Sequence, residues 1–378
     1  MPALPTDTSS DEPRDPLGAA LALTKPYPGM GESLGRRKWR RVKDIGGRSS
    51  TCFHLMSRLC EGVPFFDDTD KEALVIILRR MARFCGIKLL TYCVMGNHFH
   101  ALVRVPHREE WLRRFAGPEG ESRLMSHLRT LYSRAYVELL SAQWMRWQKD
   151  GRSDLVEAGK QAILKRFCDI SMFAKEVKVR FARWFNQRHR RRGVLWMGRF
   201  KSVLVEGRPG SGSDALQVMA AYIDLNPVRA ALTAEAKHYR WSGWSAALRE
   251  DKEAIEGLCD VVGCQAGQWK TTGAATYGRW VENLDRDSIH PHELLQRVRA
   301  FTGGLALGST DFVEEVFEKW RGLFGTKRET GARPILRHTS RTEWARGLRA
   351  LRDLRTPSGR QPGDHRAASA AEATSAVS

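Results

Sequence analysis

The sequence lacks the features that would identify a membrane protein or a disulfide-bonded secreted protein. No apolar run reaches the ~20 residues that a membrane-spanning helix needs, and the amino-terminal residues lack the basic-then-apolar order of a secretion signal. The seven cysteines are odd in number and form no Cys-x-x-Cys pair. No Walker phosphate-binding sequence occurs either. We therefore expect a cytoplasmic protein whose cysteines are reduced and which does not associate with a membrane.

Negative charge is also scarce relative to positive charge. The 378 residues contain 62 Lys and Arg but 43 Asp and Glu, which gives a formal net charge of +19 and a pI near 10.0. Such an excess indicates a polyanionic partner, with nucleic acid ahead of an acidic membrane surface. The length allows one large or two ordinary domains with tails.

Composition and periodicity divide the chain into five segments. The predicted segments are a disordered leader and basic arm (1–45), a mixed domain (46–248) with a helical insertion at about 107–170, a linker (249–290), a helical region that could bind DNA (291–350) and a disordered tail (351–378). The arm contains Arg36, Arg37 and Lys38, which fit a solvated charge run and a phosphate-binding arm equally well.

The mixed domain opens with a pattern that predicts its fold class. "SSTCFHLMSRLC" reads as a strand, and "DDTDKEALVIILRRMARFCG" as a helix with an acidic start, a basic end and a closing glycine. "IKLLTYCVM" and "HFHALVRV" then read as two strands joined by a tight "GN" turn. This order predicts an α+β fold in which helices pack on one face of a ferredoxin-like antiparallel sheet.

Two histidines interrupt the apolar third strand. Because side chains alternate along a strand, His98 and His100 point to one face and Phe99 to the other. The pair suits a divalent cation, although two histidines on a half-exposed strand are an equally simple reading without a third ligand. Among the seven tyrosines, Tyr222 has a hard-cation ligand four residues on, the amide of Asn226, which would lie on the same helix face.

These motifs together resemble a known family. "YCVMGNHFHALVRV" and "AAYIDLNPVRAAL" are similar to the His-hydrophobic-His and Tyr-Ile-x-x-Asn-Pro-Val motifs of single-tyrosine HUH transposases, in particular the REP-associated tyrosine transposases of bacteria. "GVLWMGRFKS" and "YRWSGWSAAL" resemble further segments of that family, and the resemblance covers about residues 47–248. Gly96 stands where the family usually has proline.

The resemblance implies an HUH-type fold and an enzyme that cuts and rejoins single-stranded DNA at REP-like hairpins. In that chemistry Tyr222 is the nucleophile that forms a 5′-phosphotyrosine, and His98, His100 and Asn226 hold Mg²⁺ or Mn²⁺. It also implies a bacterial, nucleoid-associated protein that acts as a monomer. A domesticated binding protein of the same fold that no longer cuts, and a hydrolase that uses a metal-bound water, remain as alternatives.

Basic residues near the motifs are predicted to contact DNA phosphates. They are Arg188, Arg190, Arg191, Arg192, Arg199 and Lys201. Trp184 and Trp196 fit core positions better than base-stacking positions. In the carboxy-terminal region, two helical patterns flank "TGGLALGS", which is predicted to be the turn of a helix–turn–helix-like arrangement. Ser309 and Thr310 are predicted to read DNA if this helix pair is a recognition unit. On that hypothesis a chain ending at Leu248 would still cut DNA.

Overall fold

The computed structural model describes residues 50–63, 65–207, 215–286, 300–324, 328–335 and 347–352, which form a mixed α+β fold. The strands are β1 (Ser50–Arg58), β2 (Lys88–Val94), β3 (His98–Pro106), β4 (Lys201–Val205), β5 (Ala306–Gly308), β6 (Arg333–Pro334) and β7 (Arg349–Leu351). The α-helices are α1 (Asp68–Cys85), α2 (Arg108–Leu112), α3 (Gly120–Leu128), α4 (Arg134–Lys149), α5 (Ser153–Leu164), α6 (Ile170–Arg188), α7 (Ala215–Asp224), α8 (Asn226–Arg229), α9 (Gly243–Leu248), α10 (Lys252–Val262), α11 (Ala274–Arg286) and α12 (Thr310–Lys319). None of the helices within these ranges is both long and apolar enough to cross a membrane.

The described strands join into one sheet in the order β2-β3-β1-β4-β5-β7-β6. The first four strands pair with one another in antiparallel fashion, with α1 crossing between β1 and β2 and α6 crossing between β3 and β4. Strand β5 adds to the edge of β4 in parallel, and β7 and β6 continue the sheet in antiparallel pairs. The carboxy-terminal region is therefore part of the same sheet as the predicted catalytic domain.

Helices cover both faces of the sheet, whereas the sequence predicts them on one face. One core contains Phe53, Phe99 and the apolar sides of α1 and α6, and the other contains Leu102, Val203 and the apolar side of α7. The physical reason is visible in β1 and β3, where consecutive residues are buried instead of alternating between buried and exposed.

The first helix is built as its sequence predicts. The Asp67 carboxylate accepts from the Asp70 N–H at 2.9 Å, and the Asp70 carboxylate accepts from the Asp67 N–H at 3.0 Å, which forms a capping box. Gly86 ends the helix in the left-handed conformation at φ 67°. The predicted helix at the start of the mixed domain is confirmed, as is the hairpin of β2 and β3 that follows it.

Of two segments outside the predicted motifs, the predicted insertion is helical as expected, whereas the predicted linker is more structured than expected. Residues 107–170 contain helices α2 to α5, in the place of the predicted insertion. The predicted linker contains α10 and α11, whose Leu258 and Tyr277 are fully buried in the core beneath α7. An amphipathic pattern in α10 and α11 explains the difference, because each helix has one apolar side that the sheet and its neighbours bury.

The glycine-rich stretch predicted as a turn contains strand β5. Leu307 pairs with Val205 of β4 and with Ala350 of β7, and all three residues are buried. Glycine is needed at position 308 because a Cβ there would lie 2.8 Å from the Glu206 Cβ. A short strand held by burial and pairing has no periodicity of its own, so the sequence alone indicated only a turn.

Candidate active site

The two histidines of the motif lie side by side on β3, on the face that α7 covers. Their ring centroids are 5.0 Å apart and nearly perpendicular. Phe99 between them points to the opposite face and packs edge-on against Trp196 at 5.7 Å. His98 is half-buried and His100 is 2% exposed. His98 and His100 therefore lie on the same face of β3, as the sequence predicts.

Helix α7 brings Tyr222 to these histidines from more than a hundred residues away in sequence. The Tyr222 ring lies 6.2 Å from the His100 ring, centroid to centroid, in an edge-on arrangement. Small residues on the helix, Ala220 and Ala221 among them, are buried and allow the helix to approach the sheet closely. Tyr222 is itself 3% exposed, so its ring is buried beside the histidines.

The side chain of Asn226 bonds to the end of the tyrosine helix. Its Nδ2 donates to the Ile223 carbonyl at 3.1 Å and to the Tyr222 carbonyl at 3.2 Å. The Ile223 carbonyl would otherwise lack its helical donor, because position 227 is a proline without an N–H. Both bonds use Nδ2, so Oδ1 is the Asn226 atom that a cation would take.

Burial sets the protonation of the site. It lowers the pKa of His98 to about 4, with the nearby Arg58 charge acting in the same direction. Burial also lowers the pKa of His100 well below its usual value. Both imidazoles are therefore neutral at neutral pH, the form that binds metals. Burial raises the pKa of Tyr222, and the positive charge of Arg229 opposes that rise.

Four residues of this neighbourhood were missed by the sequence analysis. They are His54, Arg58, Arg229 and Phe301. His54 and Phe301 each contact the site directly, with ring centroids 5.0 Å from His100 and 4.5 Å from Tyr222 respectively. Arg58 pairs directly opposite His98 on β1. The guanidinium of Arg229 lies 4.1 Å from the Tyr222 ring centroid, and its position seven residues after Tyr222 was the one available sequence signal.

Most of the predicted DNA-binding residues that the structure describes are exposed, and one of them, Lys201, lies on the sheet face of the site. Arg190, Arg192, Arg199 and Lys201 are exposed, and Arg191 is half-buried beside Asn186. Met56 of β1 pairs with His100 on one side and with Lys201 on the other. Directly paired residues share a sheet face, so Lys201 lies in the same row as His100, two strands away. Trp184 and Trp196 are buried, as expected of core residues.

Arg188 differs from the other predicted DNA-binding residues. Its Nη1 lies 2.7 Å from an Asp67 oxygen and 2.8 Å from an Asp70 oxygen. His189 also contacts the buried Asp70 carboxylate at 2.9 Å. Asp67, Asp70 and His189 are the one trio of His, Cys, Asp and Glu ligand atoms that lies within 4.8 Å in the described ranges. Because the guanidinium already occupies it, we read the trio as an ion-pair cluster that joins α6 to α1.

Two other sets of predicted residues have different outcomes. Arg36, Arg37 and Lys38 lie outside the described residues. Ser309, predicted to read DNA, is engaged in the fold, since its N–H donates to Glu206 at 2.7 Å and its Oγ accepts from the Phe312 N–H. Ser309 therefore caps helix α12.

Comparison with known proteins gives one structural likeness. No family profile matches the chain, and no curated protein is significantly similar in sequence. The fold is similar to a solved structure of a REP-associated tyrosine transposase bound to a REP hairpin. The two share 12% identity over 57% of this chain and 86% of the other, with a TM-score of 0.34. A likeness this distant carries no conclusion about function, which must come from the site itself.

Proposed function

We propose that the chain is a DNA-processing enzyme that cuts and rejoins single-stranded DNA hairpins through Tyr222. The observation that carries the proposal is the convergence of Tyr222, His98 and His100 on one sheet face from a helix and a strand far apart in sequence. The βαββαβ order of the first four strands, β2-β3-β1-β4, is that of a ferredoxin-like unit and supports the proposal. All three side chains come from one chain, so we expect a monomer to suffice.

The donor atoms at this site fit a divalent cation. His98 and His100 are neutral imidazoles on one face, and the Oδ1 of Asn226, whose Nδ2 bonds to the end of the tyrosine helix, would supply a hard oxygen ligand. Imidazole ligands favour Mn²⁺ over Mg²⁺, whereas the supply in the cell favours Mg²⁺. When bound, the ion polarises the scissile phosphate and offsets charge in the transition state.

The remaining chemistry belongs to the protein's own side chains. The Tyr222 phenol loses its proton, and its oxygen forms a bond to phosphorus while the bond to the 3′ oxygen breaks. The 3′ oxygen leaves as a hydroxyl after gaining a proton, and the DNA stays attached through a 5′-phosphotyrosine. Arg229 beside the ring favours the phenolate. A second 3′-hydroxyl can reverse the step and rejoin the DNA without nucleotide hydrolysis.

The exposed basic residues on this side of the sheet suit a polyanionic substrate. Lys201 lies on the same sheet face as His100, two strands away, and Arg58 lies opposite His98 on the neighbouring strand. Two positively charged side chains therefore lie near the histidine pair. Such charges would position the DNA backbone without reading its sequence. The overall charge of +19 supports the same reading.

The decisive experiment is the capture of a covalent protein–DNA adduct. The full chain is incubated with a single-stranded hairpin oligonucleotide and Mn²⁺, and adducts are separated by denaturing electrophoresis. We expect an adduct with wild type and with Tyr136→Phe, a matched control on helix α4, but none with Tyr222→Phe. Cleavage without an adduct would instead indicate a metal-water hydrolase, and hairpin binding without cleavage would indicate a binding protein.

A further inference from the structure

A third histidine lies next to the motif pair on the neighbouring strand. His54 of β1 pairs opposite Leu102, so it shares the sheet face of His100. The two ring planes are 18° apart and the centroids are 5.0 Å apart, so the rings lie edge to edge, as an in-plane hydrogen bond between ring nitrogens requires. His54 Nε2 lies 2.8 Å from His100 Nδ1, and His54 Nδ1 lies 2.7 Å from the carbonyl oxygen of Phe301. His54 is 1% exposed.

These two hydrogen bonds determine where the protons lie. A carbonyl oxygen can only accept, so His54 Nδ1 must carry the hydrogen. A charged imidazole that is 1% exposed and has no carboxylate partner would be costly, so His54 is neutral. Neutral His54 then has a lone pair on Nε2, which accepts from Nδ1–H of His100. Neutral His100 with its hydrogen on Nδ1 has a bare lone pair on Nε2.

We infer that His54 is a positioning residue that holds His100 in the Nδ1–H tautomer and so presents its Nε2 lone pair as the metal ligand. This inference rests on the proposed function, which identifies the group that His100 binds as a divalent cation. A ligating histidine is commonly oriented by an acceptor at its other ring nitrogen, and losing that acceptor typically costs 10–100-fold in metal affinity. Here the acceptor is another imidazole, itself fixed by a backbone carbonyl.

His54 is not a third metal ligand, because both of its ring nitrogens are engaged. Nδ1 bonds to Phe301 and Nε2 bonds to His100. The trio of ligand atoms found in the described part of the chain lies elsewhere and does not include it. His98 shows the same arrangement in a simpler form, since its Nδ1 lies 2.6 Å from Oδ1 of Asn97. Both motif histidines therefore have Nδ1 engaged and Nε2 available.

The hydrogen bonds between the Phe301 carbonyl and His54 and between His54 and His100 form a relay, which connects the carboxy-terminal region to the histidine motif. Phe301 lies 247 residues from His54 in sequence, immediately before strand β5. Its carbonyl fixes His54, while its ring packs against Tyr222 at 4.5 Å between centroids. One residue thus supports the ligand side and the nucleophile side of the site at once.

The test reads the tautomer directly. Histidine-labelled full-length protein without metal is studied near pH 7 by two-bond ¹⁵N–¹H correlation NMR, which distinguishes a protonated from a bare ring nitrogen. We expect His100 to carry its proton on Nδ1. Mn²⁺ affinity without DNA is then measured by electron paramagnetic resonance titration. His54→Leu, which has no acceptor, should weaken Mn²⁺ binding by about 10–100-fold, whereas His54→Gln, which retains one, should restore most of it.

His127→Leu is the matched control. His127 is likewise bonded to a backbone carbonyl, that of Phe84 at 2.8 Å, but it is half-buried and packs against the other core. We expect it to change neither the His100 tautomer nor Mn²⁺ affinity. Should His54→Leu fail to fold, the wild-type spectrum and His54→Gln still decide the matter.

Two results would overturn the inference. One is a wild-type His100 that carries its proton on Nε2, and the other is a folded His54→Leu variant whose Mn²⁺ affinity equals that of wild type. Failure of the proposed function looks different. A wild type with the expected tautomer that binds no Mn²⁺ and forms no adduct would support the relay and reject the metal-dependent cleavage.

Discussion

The two faces of strands β1 and β3 are built from different chemistry. The face toward α1 and α6 is aromatic, with Phe53 and Phe99 buried and Phe99 packed edge-on against Trp196. The face toward α7 holds the buried histidines His54 and His100, and its core also contains Tyr222. Alternate residues of one strand therefore belong to different environments.

The comparison shows how a small sheet can be stable and still contain polar groups. The aromatic face contributes apolar burial, whereas each polar group on the other face needs a hydrogen-bond partner. Asp224 illustrates this need, since its carboxylate accepts from Thr91 at 2.9 Å, Tyr277 at 2.5 Å and the Trp244 N–H at 3.3 Å. Substitutions on the two faces should therefore have separable effects.

Removing the carboxy-terminal region should have the largest effect. A chain ending at Leu248 lacks strand β5, which pairs with β4, and it also lacks α10, α11 and Phe301, which pack on the face that holds the site. We expect loss of both the cooperative thermal transition and the DNA adduct, measured against the full chain. This reverses the expectation from sequence that such a chain would still cut. A truncated protein that melts cooperatively and forms the adduct would show that the region is dispensable.

Neighbouring substitutions on β3 should separate stability from activity. Phe99→Ala should lower the free energy of unfolding by about 3–5 kcal/mol, the usual range for a buried phenylalanine. His100→Ala should cost about 1–3 kcal/mol, because it leaves Nε2 of His54 without a partner. Urea unfolding measures both.

The activities of the two variants should rank the other way. At a temperature where both are folded, Phe99→Ala should retain adduct formation per folded molecule and His100→Ala should lose it. Equal activity in the two variants would mean that adduct formation does not depend more on the histidine face than on the aromatic face.

Asp224 offers a pH test of the polar face. Burial raises the pKa of Asp224 to about 7, and its hydrogen bonds act in the opposite direction. The folded protein then holds this proton more tightly than the unfolded chain, whose aspartates have a pKa near 3.9. Wild-type stability from this group is therefore full below about pH 4 and is lost as pH rises through 7.

The neutral variant Asp224→Asn lacks that dependence. Its stability relative to wild type should increase between pH 5 and pH 8, as measured by urea unfolding in matched buffers. Tyr136→Phe serves as the control and should show no pH-dependent difference. A constant difference between Asp224→Asn and wild type across this range would place the carboxylate in its ordinary charged state.

The smallest expected effect comes from the exposed basic residues. Replacing Arg199 and Lys201 with alanine should weaken single-stranded DNA binding modestly. It should also reduce the slope of log affinity against log salt by about 0.7 per lost phosphate contact. Arg152→Ala, an exposed arginine paired with Asp154 on the helical insertion, is the control. An unchanged salt slope in the double variant would show that Arg199 and Lys201 do not contact DNA phosphates.

Local signals in the sequence were sufficient for part of this structure. The capped helix α1, the hairpin and the common face of His98 and His100 depend on neighbours in the chain, and each is found where the sequence predicts it. The grouping of Tyr222 with these histidines is also found, although it followed from a family resemblance and not from residue spacing.

Other parts depend on contacts that no local pattern encodes. His54 is one histidine in an apolar strand, and its role follows from its diagonal position across from His100 and from a carbonyl 247 residues away. Strand β5 contains three residues in a glycine-rich stretch, and pairing with β4 and β7 makes it a strand. Arg188 lies in a basic turn, but two aspartates of another helix terminus bind it.

The contact between Phe301 and His54 also has a consequence for the timing of synthesis. A ribosome makes the motif histidines and Tyr222 long before it reaches Phe301, so a growing chain contains every proposed catalytic side chain without the carbonyl that fixes His54. The relay can close only after residue 301 has left the ribosome and β5 has joined β4. A growing chain that has not yet reached residue 301 would thus have a nucleophile and two imidazoles, but the tautomer of His100 would not be fixed.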